Sequence, residues 1–498
     1  GPNAPATVVA RRGCELGPRM EYEVDCAALT RLVTDTLSAA PRIEPTITIA
    51  PHVARRLLRP GVSQARSTLD ANLQRQAIGT LQRHLYQLAD DNVRDGALLV
   101  VENRTGEVLA YVGNSDRNPD AFYVDGVIAP RQAGSTLKPF LYGMALEKRW
   151  LTAASLLADT PVNLETPTGM YVPQNYNREF RGWVSARSAL AGSLNVPAVR
   201  TLMLVGVDAF IEKLRQFGFI GLTEDGDFYG YSLALGSGEV TLWQLVNAYR
   251  ALANQGRAGA MSLEAGMESP SREILDPAAA FVIGDILADR GARGITFGLD
   301  NPLALPFPAA VKTGTSKDMR DNWCIGYSDR YTVGVWVGNF NGDPMHDVSG
   351  VSGAAPVWAE LMRYLHRDLV HGTPALPEGV VARQVSFSPA IEPQRQEYFL
   401  RGTETSHIVL QEPAQTVPKI AYPADGGIIA LDPDIPGDLQ RIAFTMSPEN
   451  DSATWRLDGQ PLSLPDGRWQ PRRGSHALVL QDAEGQVIDE VRFVVRGR

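Results

Sequence analysis

A chain of 498 residues with 44% hydrophobic and 21% charged side chains has the composition of a globular protein of two or three domains with a large core. Its formal net charge of −9, without a long Lys/Arg block, argues against an electrostatic hold on nucleic acid. No stretch approaches the roughly 20 continuous apolar residues of a membrane-spanning helix, and no signal peptide is read.

The chain opens Gly1-Pro2 without an initiator Met, which reads as the scar of a cleaved tag on a truncated chain whose membrane anchor lies upstream. Residues 1–65 mix Pro, Arg and short apolar pieces without periodicity and read as a linker or the remnant of an earlier region. Cys14 and Cys26 are compatible with one bridge in an oxidising compartment or with two free thiols, and Cys324 falls in a strand-like run as a core residue. Order begins at Asp70, placed to cap a helix with Leu73, Ile78, Leu81, Leu85 and Leu88 on one face. Two apolar runs, Ala97–Glu102 and Glu107–Gly113, flank Asn103-Arg104-Thr105-Gly106 and predict a β-hairpin.

A helical region follows over about 135–255, interrupted by turn-rich pieces such as Thr166-Pro167-Thr168-Gly169. Strand signals return at Ala309–Thr315, Trp323–Tyr327 and Tyr331–Val337, the last two linked tightly through Ser328-Asp329-Arg330. Two strands, a helical insertion and three more strands predict an α+β fold, an antiparallel sheet beside a helical lobe with a crevice between them. Residues 373–420, rich in Pro, Gln and Glu, read as a connector. Beyond it, strand-like runs at Arg441–Thr445, Thr454–Leu457, His476–Gln481 and Val487–Val495 alternate with turns at Asp458-Gly459, Asp466-Gly467 and Glu484-Gly485. They predict a small all-β sandwich over 421–498.

Three short strings carry chemistry. In Gly134-Ser135-Thr136-Leu137-Lys138, serine and lysine stand at i and i+3 of a helix start, so the amine can reach the hydroxyl. Serine is a poor nucleophile unless a base takes its proton, and a lysine can be that base if burial and nearby positive charge lower its pKa. Alone, such a pair is more often a solvated helix face. Ser193-Leu194-Asn195, before Pro197, sits at a helix junction that can project into a cleft. Lys312-Thr313-Gly314-Thr315-Ser316 closes an apolar strand, with Gly314 permitting close approach by a ligand.

In that order, SxxK, SxN and KTG resemble the motif set of penicillin-binding proteins. Over roughly 66–372 the chain is similar to the transpeptidase domain of the class A members. Gly134–Phe140, Ser193–Ala198, Lys312–Ser316 and Arg320-Asp321-Asn322-Trp323 resemble the penicillin-binding protein 1C subgroup. So do Asp425-Gly426, Leu431–Pro436, Trp455–Gly459 and Pro471–His476 in the C-terminal module. The resemblance implies the penicilloyl-serine transpeptidase fold, with a five-stranded antiparallel sheet, and a place on the periplasmic side of the bacterial inner membrane. Members of that subgroup also carry an anchor helix and a glycosyltransferase domain upstream, and no region of this sequence reads as either, so glycan polymerisation is not expected of it.

The resemblance also implies roles. Ser135 would be the nucleophile on D-Ala-D-Ala stem peptides, Lys138 its base, Ser193 a proton relay and Lys312 a source of positive potential. Asn195 would bind the peptide amide, Thr313, Gly314 and Thr315 the substrate carboxylate and backbone, with the amides of Ser135 and Thr315 as oxyanion hole. β-Lactams would acylate the same serine. A D,D-carboxypeptidase and a non-turnover penicillin-binding scaffold or sensor share these motifs and stay open. Tyr171, Tyr176 and Trp183 either line the cleft or pack as ordinary aromatics. Trp455, Trp469 and His476 read as sandwich core, a surface for cell-wall synthesis proteins being the other reading of that module. The seven histidines show neither HExxH nor a metal-like cluster, so no metal and no cofactor are expected.

Overall fold

The computed structural model describes residues 12–16, 24–39, 49–115, 121, 123–166, 169–177, 179–266, 270–369, 375–410, 418–431, 440–448, 450, 452–462 and 468–496. The Asp466-Gly467 turn, Pro167-Thr168 and most of the Leu431–Pro436 string lie outside them. The chain divides into two units, residues 1–408 and 409–498. Near the start, Cys14 and Cys26 are joined as a disulfide. Among the described residues no helix is long and apolar enough to cross a membrane.

In the first unit, Asp70 caps α1 (Ala71–Gln87), its carboxylate accepting from the backbone N–H of Asn72 and Leu73 at 2.8 Å each. Two first-turn donors that lack a partner within the helix are thereby satisfied. Leu73, Ala77, Leu81 and Leu85 form the buried stripe, with Ile78 and Leu88 at its margin. β1 (Asp95–Glu102) and β2 (Val108–Val112) follow as the expected hairpin. The helical lobe comprises α2 (Lys138–Glu147), α3 (Ala186–Ala191), α4 (Asn195–Val205), α5 (Leu242–Ala253) and α6 (Pro277–Ala288). Then come β3 (Ala310–Thr315), β4 (Asp321–Tyr327), β5 (Tyr331–Gly338) and α7 (Ala354–His366).

The five strands lie in the order β3-β4-β5-β1-β2, every neighbouring pair antiparallel. Both faces of this sheet are dry. Ala97, Leu99 and Val101 of β1 enter one core with Phe140, Leu190 and Tyr249 from the helical lobe. Leu98 and Val100 enter the other with Leu81, Leu85 and Trp358 of α1 and α7. Because successive side chains point to opposite faces, a strand covered on both sides has no polar register, and its sequence reads as an unbroken apolar run. Cys324 of β4 is fully buried in the second core. β3 is an edge strand, so the free side of Lys312 to Thr315 is taken by no further strand and faces the serine turn and Ser193.

Residues 380–409, inside the stretch expected to be a connector, form three more strands instead. They are β6 (Val380–Ser388), β7 (Arg395–Leu400) and β8 (His407–Val409), in the order β7-β6-β8. Pro389, Glu392, Pro393 and Gln394 fall in the turn between β6 and β7, but Gln384, Gln396 and Glu397 stand within the strands themselves, so polar composition hid them. This sheet is fastened to α3 through charge. Buried Arg187 meets both carboxylate oxygens of Glu397, Asp285 at 2.5 Å and Asp289 at 3.0 Å. Burial alone would lower the guanidinium pKa, but Glu397 and Asp285 overcome it and raise it above its usual value. Arg187→Ala should lower the unfolding free energy by about 3–5 kcal/mol, because it leaves fully buried Glu397 with only Arg395 as a cation and leaves half-buried Asp285 and Asp289 without this partner. Denaturant titration checks this, and a loss below about 1 kcal/mol would mean that the cluster is hydrated.

The second unit is all-β. β9 (Ile428–Ala430), β10 (Thr454–Leu457), β11 (Gln460–Pro461), β12 (Gly474–Gln481) and β13 (Val487–Arg496) pair in the order β9-β13-β12-β10-β11. Asp458-Gly459 closes β10 on β11 with φ of 51° and 78°, the two positive angles that suit a two-residue hairpin. Leu478, Leu480 and Phe493 centre a core onto which Trp455 and Trp469 pack. His476 is held by Asp458 and the Arg472 carbonyl at 2.7 Å each.

Candidate active site

A single 3₁₀ turn, Gly134–Leu137, carries Ser135 and runs straight into α2. Its backbone is gripped on several sides. Gly134 N–H donates to Gly236 O at 3.1 Å, Tyr249 Oη–H to Thr136 O at 2.8 Å and Trp323 Nε1–H to Gln132 O at 2.8 Å. Two glycines make the approach feasible. Gly134 has φ +56°, and a Cβ there would stand 2.8 Å from Thr315 O; Gly236 has φ +77°, and a Cβ there would fall onto the Gly134 carbonyl. Ser135 is half-buried, and among the described residues its Oγ has no hydrogen-bond partner.

Lys138 is fully buried. The i, i+3 spacing suggested contact with Ser135, but the Nζ donates to Ser193 O at 2.7 Å, Leu194 O at 3.1 Å and Asn195 Oδ1 at 2.7 Å. Those three acceptors match the three protons of an ammonium. Burial lowers the Lys138 pKa well below its ordinary value and the Lys312 charge adds to this, while Asp159 opposes both.

Ser193 leaves the end of α3 with φ +59°, a conformation that costs a non-glycine residue energy and aims its side chain at β3. There Lys312 Nζ donates to Ser193 Oγ at 2.7 Å and to Thr313 O at 2.8 Å. Burial pulls Lys312 down to about 7, with Arg293 lowering it further against the opposing influence of Cys324. Asn195 opens α4, and Gly314 lies so close to the serine turn that a Cβ would stand 2.8 Å from Thr136 Cγ2. Thr315 Oγ accepts from Gly350 N–H at 3.1 Å.

Ser135, Ser193, Asn195, Thr313, Gly314 and Thr315 all line one cleft of about 860 Å³, with Lys138 and Lys312 buried behind its wall. Tyr171 and Tyr176 line it as well; Trp183 does not. Among the described residues its lining contains no Asp or Glu and includes Lys317, which suits an anionic ligand.

Sequence reasoning passed over Asp159 and Asn175. Asp159 is fully buried at the end of a short strand, Leu156–Asp159, and both its oxygens accept from Asn175 Nδ2 at 2.8 and 2.9 Å. Asn175 Oδ1 in turn accepts from Asn195 N–H at 2.8 Å. The available signal was Pro173-Gln174-Asn175-Tyr176, a run of amide side chains in a loop ahead of Ser193.

The penicillin binding protein transpeptidase domain family matches residues 96–363, and the Penicillin-Binding Protein C-terminus Family matches residues 410–493. Penicillin-binding protein 1C of Escherichia coli K12 is 35% identical over 342 residues, 68% of this chain and 42% of that protein. Penicillin-binding protein 1A of Neisseria meningitidis serogroup A is 29% identical over 387 residues, 71% of this chain and 46% of its own length. The chain thus spans less than half the length of these relatives. In fold, the penicillin-binding protein 1A crystal structure from Haemophilus influenzae aligns with a TM-score of 0.55 at 22% identity, covering 63% of this chain and 54% of that one. PonA1 from Mycobacterium tuberculosis, solved in complex with penicillin V, aligns with a TM-score of 0.53 at 22% identity, covering 62% and 87%.

Proposed function

Because the chain belongs to the penicillin-binding protein transpeptidase family, a family of serine acyltransferases, we propose that it cross-links the D-Ala-D-Ala stem peptides of peptidoglycan through a Ser135 acyl-enzyme. The observation that carries the reading is the convergence behind one cleft of Lys138 on Asn195 and of Lys312 on Ser193, beside an unengaged Ser135 hydroxyl.

In the proposed reaction, neutral Lys138 takes the Ser135 proton as Oγ attacks the carbonyl carbon of the penultimate D-Ala. The oxyanion is held by the backbone N–H groups of Ser135 and Thr315, donors whose individual loss typically costs about 10²–10³ in rate. Collapse breaks the peptide bond; Ser193 passes a proton to the departing nitrogen and is reprotonated by the proton that Lys138 took from Ser135, so that D-Ala leaves as an amine and Lys138 is neutral again. The amino group of a second stem peptide then attacks the ester, gives its proton to neutral Lys138, and the C–O bond breaks as Lys138 returns that proton to Ser135 Oγ, forming the cross-link and releasing the serine. Thr313 and Thr315 bind the donor's terminal carboxylate, Asn195 its amide, and cationic Lys312 supplies the potential that favours the anion. A β-lactam enters the same path, its strained amide leaving a stable ester on Ser135.

We assign this activity to residues 66–372, on the periplasmic face of the inner membrane, and leave to residues 421–498 the recruitment of cell-wall synthesis proteins. Incubation with a D-Ala-D-Ala peptide, with and without an added D-amino acid, tests the reading by product mass. Exchange product is expected; hydrolysis alone would make the protein a carboxypeptidase, and acylation without turnover a scaffold or sensor.

A pH dependence follows from the two lysines. Lys138 must be neutral and Lys312 charged, so the second-order acylation rate should rise as Lys138 loses its proton and fall as pH passes about 7 and Lys312 loses its own. A profile flat from pH 5 to 9 would contradict these roles.

A further inference from the structure

The mechanism makes no use of Asp159 and Asn175, yet they form a continuous path to its base. Asp159 is 0% exposed and Asn175 5% exposed, so neither is placed to touch bulk solvent. Asp159 sits where the strand Leu156–Asp159 pairs with Gly182–Ser185, and its carboxylate accepts from Asn175 Nδ2 and from the Arg181 N–H at 3.0 Å. Asn175 Nδ2 also donates to Glu179 O at 2.8 Å.

A carboxylate can only accept, so the Asn175 amide has one orientation here, NH₂ toward Asp159 and oxygen toward Asn195 N–H. The same logic repeats one step on. Asn195 Nδ2 donates to Gln174 O at 2.8 Å, which turns its oxygen onto Lys138 Nζ at 2.7 Å. A flipped Asn175 amide would set its NH₂ against the Asn195 N–H, and a flipped Asn195 amide would set donor against donor at Lys138, which would lose its only side-chain acceptor among the described residues.

We propose that Asp159, by anchoring Asn175 and with it the loop whose Gln174 carbonyl orients the Asn195 amide, is a positioning residue that holds this amide on Lys138 and supplies the negative charge that offsets Lys312 on that amine. The proposal rests on Lys138 being the base of acylation. The charged groups facing Lys138 are Lys312 from β3 and Asp159 from its short strand; its hydrogen-bonding neighbours on the turn before α4 are neutral. Facing Asp159 are Lys138, Arg200 of α4 and the buried Tyr142 hydroxyl of α2. The carboxylate favours the protonated amine. Removing it therefore moves deprotonation of Lys138 to lower pH.

The test uses the whole chain and measures the second-order rate of acylation by a fluorescent penicillin between pH 4.5 and 9. For Asp159→Asn the acid limb should move toward lower pH by about half a unit or more, and the maximal rate should fall by about tenfold as the amide relay loses its orientation. A purely structural Asp159 would reduce folded protein and leave the limb in place, so an unmoved limb in folded Asp159→Asn overturns the proposal. Should that variant not fold, Asn175→Ala keeps the carboxylate and cuts the relay; a rate within twofold of the parent overturns it equally. A parent protein that takes no penicillin at all would instead defeat the transpeptidase reading.

Discussion

Ser135→Ala should take up no penicillin covalently while staying folded. The hydroxyl is half-buried and makes no hydrogen bond among the described residues, so its removal leaves no partner stranded. The turn that carries it is held by neighbours instead, through Gly134, Thr136 and Gln132. Stability should therefore change by no more than about 0.5 kcal/mol. Acylation and turnover should fall by about 10⁴–10⁶, the scale of losing a nucleophile from a unit that acts together. Intact-protein mass after incubation with a penicillin checks this, and an adduct on the variant would remove Ser135 from its role.

The second large effect belongs to Lys138, where two losses are expected to separate. Lys138→Met preserves bulk in the buried site but leaves Ser193 O, Leu194 O and Asn195 Oδ1 without their donor. An unpaired buried acceptor costs about 1–3 kcal/mol, so unfolding should come at clearly lower denaturant. The acylation rate should drop by about 10²–10⁴, the usual contribution of a positioned base. Lys138→Arg discriminates between the two. A guanidinium can refill some of the hydrogen bonds and recover stability, but it does not release its proton near neutral pH, so acylation should stay low. Acylation by the arginine variant within tenfold of the parent would show that the amine is there to hold the structure and that the base is elsewhere.

Much of this architecture was legible because its signals are local. Asp70 stands one residue before an amphipathic run, and Ser328-Asp329-Arg330 separates two β-rich pieces, so capping and turn chemistry place those boundaries without tertiary knowledge. The motif residues were legible as types, and their order along the chain matched a known set. What was not legible depends on partners distant in sequence. The spacing of Ser135 and Lys138 suggested a direct contact, whereas the lysine turns to acceptors that arrive with Ser193, Leu194 and Asn195. Asp159 looks in sequence like any strand-end carboxylate, and only the loop carrying Asn175 gives it a job. Residues 380–409 differ from the expected connector for the same reason: their sheet is held by Glu397 reaching Arg187 and by Val380, Val385, Phe399 and Leu400 entering cores shared with residues far away in sequence, pairings no window along the sequence contains.

That last pairing also decides where the polypeptide can be cut. A fragment stopped near residue 372, just past the last motif-bearing strands, would carry Arg187 beside Asp285 and Asp289 but without Glu397, its fully buried counter-ion. It would also expose the Ser185 cap of α3, which Glu392 otherwise holds through both its N–H and its hydroxyl at 2.8 Å each. Since α3 leads directly into Ser193, trimming those strands would loosen a helix that delivers a reactive hydroxyl, and weak labelling by such a fragment would reflect the choice of end point rather than the chemistry of the cleft.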